Sequence, residues 1–207
     1  MRERILTVLK FIFFVVIIPL LLAVVESFQS SVAGLKLTLK NAFYSGTIMY
    51  VVSYLFLYDF QPVYLSAKAI VGEMFKFLPP FDKVIPYVFP IYVMLTGTAY
   101  FFINGLLNME PSAKVYFFIM GFLLSLHIIS AAKEFQDDDK LALKPHYFFS
   151  LSLAFIGTVF TFVLLLHLIT PSISFPTFWV QLCRLTDQNY EMIFQKILTL
   201  VKSISLF

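Results

Sequence analysis

The sequence predicts an all-α, polytopic transmembrane helical bundle of about five spans, followed by an amphipathic C-terminal helix. Three observations carry that prediction. Of the 207 residues 60% are hydrophobic and only 13% charged, with a mean hydropathy of +0.88, whereas a soluble domain runs about 45–50% apolar and about 25% charged. The charges are clustered, which leaves uncharged runs of transmembrane length between them. The 26 Phe and 11 Tyr suit lipid contact and interfacial belts.

The first span is Phe11 to Val25, preceded by Arg2, Arg4 and Lys10 and followed by Glu26. A charged start before an apolar stretch also suits a signal peptide, but Pro19 inside the stretch favours a retained span. The second span covers 42–58 and carries Ser45, Gly46, Thr47 and Ser53, small groups that permit close helix contact. In 61–83, apolar residues alternate with Lys68, Glu73 and Lys76 in a helical rhythm, as in an interfacial amphipathic helix ended by Pro79 and Pro80. The third span covers 86–107 with Pro90 in its first turns, the fourth 115–132, and the fifth 147–169. Residues 1–175 thus form the bundle and 176–207 the tail, leaving no room for a separate soluble domain. In the tail, Tyr190, Ile193, Phe194, Ile197, Val201 and Ile204 recur at three- and four-residue steps. That amphipathic helix is expected to lie on the membrane surface, pack against a partner or cap its own bundle.

Lys and Arg number nine in the loops on the N-terminal side and six in the alternate loops and tail. The bias predicts a cytoplasmic N-terminus and, with five spans, an exterior C-terminus. Short loops point to a bacterial inner membrane. The net charge of +3 comes from span flanks and excludes a nucleic-acid surface. Cys183 is the single cysteine, which excludes an intrachain disulfide and a cysteine-based metal site.

Polar residues at membrane depth are costly and each is a functional candidate. His127 lies in the fourth span, and Glu134 follows seven residues later on the same helical face. Asp137, Asp138 and Asp139 come next, and His146 opens the fifth span from the same side. His127, Glu134, Asp137 and His146 together are a candidate set of ligands for a divalent metal or a proton relay. The alternative is a solvated acidic turn, with His127 hydrogen-bonded to a neighbouring helix. Asn104 is a candidate for a bond across a helix pair, and Ser152, Gly157, Thr158 and Thr161 form a small, weakly polar helix side. There is no His-Glu-x-x-His helix, phosphate-cradling Gly-rich loop or Gly-x-Ser-x-Gly elbow, and no duplicated half. These absences weigh against a self-sufficient enzyme or carrier.

Pro86 to Tyr92, Gly121-Phe122 with His127, Gln136-Asp137-Asp138 and Tyr147 to Leu151 resemble short segments of small bacterial membrane proteins related to site-2-type zinc metalloproteases. The resemblance spans residues 42–170. It implies a His-Glu-x-x-His segment before the Pro-Tyr span, yet Val63 to Glu73 contains no histidine. What it implies is a paralogue that has lost hydrolysis, with His127 and Asp137 as remnants. No catalytic residue and no bound cofactor carry over. The expected function is therefore a non-catalytic scaffold or accessory subunit that binds the lipid bilayer and another membrane protein or its own copies. A small transporter or channel subunit, and a metal-dependent intramembrane enzyme, are the alternatives.

Overall fold

The structure, a computed structural model, describes residues 2–79, 84–105, 113–138, 145–170 and 173–204. Eight helices are described: α1 (Arg2–Ala33), α2 (Leu37–Phe56), α3 (Gln61–Met74), α4 (Ile85–Val88), α5 (Ile91–Gly105), α6 (Ala113–Asp138), α7 (Pro145–Ile169) and α8 (Phe175–Ile204). No strand is present among the described residues. Three helical stretches are long and apolar enough to cross a membrane: Ile12–Ala33, Ala113–Gln136 and Phe148–Leu168. Helix α2 is of similar length but opens with Lys40 and Asn41 and carries several hydroxyl groups. Helix α5 contributes a shorter apolar stretch, Ile91–Asn104. Large apolar side chains face outward on these helices, among them Ile48, Phe56, Phe101 and Leu168. That outward surface matches a lipid environment better than water.

Two expected boundaries move. The first span does not end at Glu26, because one carboxylate on a helix surface breaks no backbone hydrogen bond. The helix continues to Ala33, where Gly34 closes it with its N–H on the Ser30 carbonyl at 3.1 Å. The third span is not one helix. Pro90 excludes the α conformation from the residue before it, so Phe89 is extended (φ −105°, ψ 98°) and separates α4 from α5. Helix α3 fills the front of the segment read as amphipathic and ends at Met74; residues 80–83 lie outside the described residues.

The helix directions follow from paired contacts. Phe14 packs on Phe148 and Phe28 on Phe162, so α1 and α7 run parallel. Helices α2 and α6 also run parallel, and their backbones touch at two glycines. A Cβ on Gly46 would lie 1.9 Å from the Phe118 carbonyl oxygen, and one on Gly121 would lie 2.1 Å from that of Phe43. The contact is reciprocal, Phe43-x-x-Gly46 against Phe118-x-x-Gly121, a local two-fold match inside a chain without a duplicated half. Phe43, Phe117, Met120, Phe162 and Leu166 fill the core around it.

Helix α8 begins at Ser174, whose hydroxyl accepts the Thr177 amide at 3.3 Å, with Pro176 in the first turn. It runs antiparallel along α1. Ser30 lines a groove with Pro176 and Arg184, Asn189 donates to the Pro19 carbonyl at 3.2 Å, and the Tyr190 hydroxyl donates to the Val16 carbonyl at 2.6 Å. Pro19 lacks an N–H, so the Val15 carbonyl loses its helical donor, in the same turn as the Val16 and Pro19 carbonyls that α8 engages. The tail therefore returns along the first helix, and the two ends of the chain point toward the same end of the bundle. A count of five spans alone had put them on opposite sides.

Gly46→Ala and Gly121→Ala should each force two backbones apart and cost about 3 kcal/mol, read as a fall in the thermal unfolding midpoint of the detergent-purified protein. A Gly46→Ala variant as stable as the parent would show that α2 and α6 do not meet at this distance.

Candidate functional site

Two buried polar side chains, His127 of α6 and Thr158 of α7, converge where α3, α4, α6 and α7 meet. The break at Pro90 is the origin of this site. It ends α4 after one turn, so the Tyr87 carbonyl is turned toward side-chain donors. His127, which is 6% exposed, donates from Nε2 to that oxygen at 3.0 Å, and Thr158 donates from Oγ1 at 3.2 Å. A carbonyl only accepts, so the neutral imidazole with its proton on Nε2 meets this bond. The Tyr64 ring stands edge-on to the imidazole with 5.6 Å between centroids. Gly157, one residue before Thr158, makes room for Val88, whose Cγ1 lies 2.6 Å from where a Cβ would stand.

Two ion pairs tie α3 to α6 nearby. Lys68 of α3 donates to Glu134 of α6 and to the Tyr87 hydroxyl, the latter at 2.6 Å. The Tyr87 ring stacks on Phe135 at 4.4 Å. At the start of α3, Asp59 accepts Lys133 at 2.8 Å and the Gln61 amide at 3.0 Å. The Lys133 ammonium, and then the Gln61 amide, hold the Asp59 carboxyl below its ordinary value. The contact is therefore complete above the usual carboxylate pKa and is lost as pH falls through the lower folded value. Burial alone would lower the Lys68 ammonium, but its bonds to Glu134 and Tyr87 more than offset this and hold it above its ordinary value. Burial, with Glu134 close by, pushes the Tyr64 phenol upward. The Tyr64 hydroxyl and Glu134 Oε2 are both buried, and the Tyr64 hydroxyl lies toward the Glu134 carboxylate. A groove of about 620 Å³ opens beside Lys68 and Tyr87, lined also by Leu65, Gly72, Glu73 and Pro86.

Of the predicted site residues, His127 and Glu134 do share one side of α6, but they are engaged separately, His127 by α4 and Glu134 by α3. The side chains of Asp137 and His146 lie outside the described residues. Among the described residues no three His, Cys, Asp or Glu side chains converge as a metal site would require. Asn104 is exposed near the end of α5, and His167 bonds the Ile173 carbonyl through Nδ1 at 3.0 Å, holding the turn into α8. Sequence reasoning missed Lys68, Tyr64 and Tyr87. Lys68 read as the polar side of an amphipathic helix, and nothing in spacing links it to a carboxylate 66 residues later. Tyr87 had a usable signal in Pro90, since a proline break announces carbonyls in need of donors.

No family model, curated protein or solved structure matches the chain.

Removing one member of the Lys68–Glu134 pair strands the other beside buried groups, so Glu134→Ala should cost about 1–3 kcal/mol. The double variant Lys68→Met/Glu134→Leu should recover most of that loss, because both charges leave together. Thermal unfolding of the parent, both single variants and the double variant closes the cycle. Strictly additive losses would show that the two side chains are not coupled.

Proposed function

We propose that this chain is an integral membrane protein that acts as a non-catalytic scaffold or accessory subunit of a membrane complex. Helices α1, α2, α5, α6 and α7 supply five spans, α8 returns along α1 at the same depth, and α3 and α4 lie at one membrane interface. The excess of Lys and Arg in the N-terminal set of loops supports a cytoplasmic N-terminus, in a bacterial inner membrane. The segments Pro86 to Tyr92 and Tyr147 to Leu151 support kinship to a hydrolysis-deficient relative of site-2-type zinc metalloproteases.

One observation carries the scaffold reading. Helix α8, 30 residues long, seats one face on α1 and leaves Asp187, Glu191, Phe194 and Leu198 of the opposite face exposed. A helix that only capped its own bundle would have no use for a second patterned face. The ionisable groups of the α3–α6 seam support the same reading from the other side. Glu134 is held by Lys68, and His127 by the Tyr87 carbonyl, so both serve helix docking.

The test is to purify the full chain in a mild detergent and read assembled mass and metal content on one sample. The expected result is an assembly larger than the 23.9 kDa chain, with fixed stoichiometry. A lone chain carrying about one equivalent of metal that disappears in His127→Ala would overturn the proposal in favour of a metal-dependent enzyme.

A further inference from the structure

Helices α1, α6 and α7 enclose an open groove of about 420 Å³. Helix α7 packs on both α1 and α6 and forms its floor, from Phe148 to Phe155. Phe14 and Val25 of α1 stand at the two ends of one wall, and Ala132 and Ile128 of α6 at the two ends of the other. Among the described residues that line it, Ser152 alone carries a polar side chain.

Depth gives the groove its meaning. Its lining lies wholly within the three stretches long and apolar enough to cross a membrane. It also begins at the same edge of each. Phe148 is the first residue of Phe148–Leu168, Phe14 comes two residues after the start of Ile12–Ala33, and Ala132 four before the end of Ala113–Gln136. From Phe14 the groove follows α1 for 11 residues to Val25, which is about 16 Å at 1.5 Å per residue. One leaflet of a bilayer's hydrocarbon core is about 15 Å deep, half of about 30 Å. Spread over about 16 Å, the 420 Å³ correspond to a channel about 5 Å wide. A helix with its side chains is about 10–12 Å across and does not enter. A single hydrocarbon chain, whose carbons sit about 3.5–4.0 Å from the atoms they touch, fits that width.

We propose that this groove binds one acyl chain of a bilayer phospholipid, drawn from the leaflet that meets the start of α1. The inference rests on the membrane insertion of the chain and is independent of its scaffold role. The occupant follows from continuity and size. The groove is continuous with the outward apolar surface of the three stretches, which bilayer hydrocarbon surrounds; it has the length of one leaflet and too little width for a helix. Burial in the groove brings an acyl chain no transfer energy over the surrounding lipid, so shape has to hold it. Three helices contact such a chain from the floor and both walls, and many small dispersion attractions then act together. Phe14 and Phe148, with ring centroids 5.4 Å apart, join α1 to α7 at the headgroup end. The bound lipid in turn fills the space between α1 and α6 and steadies the α1–α7 pair against α6.

The experiment uses the full chain in phosphatidylcholine liposomes that contain a small share of phosphatidylcholine with a diazirine in mid-chain. After irradiation, peptide mapping should find Leu21, Ile129 and Phe155 labelled at least fivefold more than Leu22, Ile48 and Leu153, which are exposed outside the groove. Ala132→Phe fills the groove and should cut labelling of Leu21 and Phe155 at least fivefold while leaving Leu22 unchanged. Ile129→Trp does the same from the next position on that wall, and an unchanged or raised thermal midpoint checks that each variant is folded. Mass spectrometry of the intact parent in mild detergent should find about one phospholipid per chain, lost in both variants. Equal labelling inside and outside the groove, or groove labelling that both variants leave unchanged, would overturn the proposal. So would a diazirine-bearing free fatty acid that labels the groove where the phospholipid does not. An unlabelled groove, with assembled mass lowered by Ala132→Phe, would give the groove to a protein partner instead. Labelled Leu22 and Ile48 beside an unlabelled groove would sink the lipid site alone, whereas a chain labelled nowhere would remove membrane insertion as well.

Discussion

The Tyr87 carbonyl is the point on which the arrangement of α3, α4, α6 and α7 depends. A proline inside a span would ordinarily bend one helix. Here Pro90 follows a residue forced into extended geometry, and the chain breaks cleanly into α4 and α5. Breaking a helix frees a backbone acceptor on its buried side, where His127 and Thr158 are both buried and a donor has to come from the protein. The cost is offset by two donors from different helices, His127 of α6 and Thr158 of α7, which meet at one oxygen. The break therefore does not loosen the bundle. It converts a local defect into a three-helix junction, and the imidazole that looked chemically available is consumed in making it.

Around this junction the chain uses two means of bringing helices together, divided by depth. In the middle of the bundle, α2 and α6 approach until Gly46 and Gly121 touch the opposing backbone, a contact of shape to which Thr47 adds one hydrogen bond to the Gly121 carbonyl at 3.4 Å. At one end, α3 is tied to α6 by Lys68–Glu134 and Asp59–Lys133, contacts made by charge. The division follows the solvent. Ion pairs near an interface keep part of their hydration, whereas in the apolar interior close packing of small residues holds helices together without burying charge. An α3 held by charges at its start and middle is also the part of the molecule most open to change with pH or salt, because screening acts on exposed pairs such as Asp59–Lys133 first.

The helical class and the apolar stretches were legible in the sequence because they depend on composition and run length. Residues 115–132 and 147–169 each reappear within one continuous helix, α6 and α7. The helix ends were less legible. Glu26 looked like a terminus since charge correlates with span ends, but Gly34 is the residue whose backbone ends α1. The site was legible only in part. His127 and Glu134 stand out as polar residues on an apolar helix, and their shared face follows from helical spacing. Their partners were out of reach. Lys68, Tyr87 and Thr158 come from three other helices, and their meeting depends on packing directions that periodicity within one helix does not contain. Asn189 is the clearest case. In sequence it is one polar residue in a polar tail, while in the fold it is buried against the carbonyl of Pro19, 170 residues earlier.

That bond also explains why the tail is more than an appendage. An amphipathic helix free to choose its surface places its polar face in water and its apolar face in lipid. Helix α8 cannot make that choice, because Asn189 and Tyr190 fix it to the backbone of α1 at the turn around Pro19. Its rotation about its own axis is set by those two bonds, and so is the direction in which Arg184, Asp187 and Glu191 point. The turn of α1 from Val16 to Pro19 thus determines which face the last helix presents outward. A surface set by the interior in this way is rigid, and a rigid surface loses little conformational freedom when a partner settles on it.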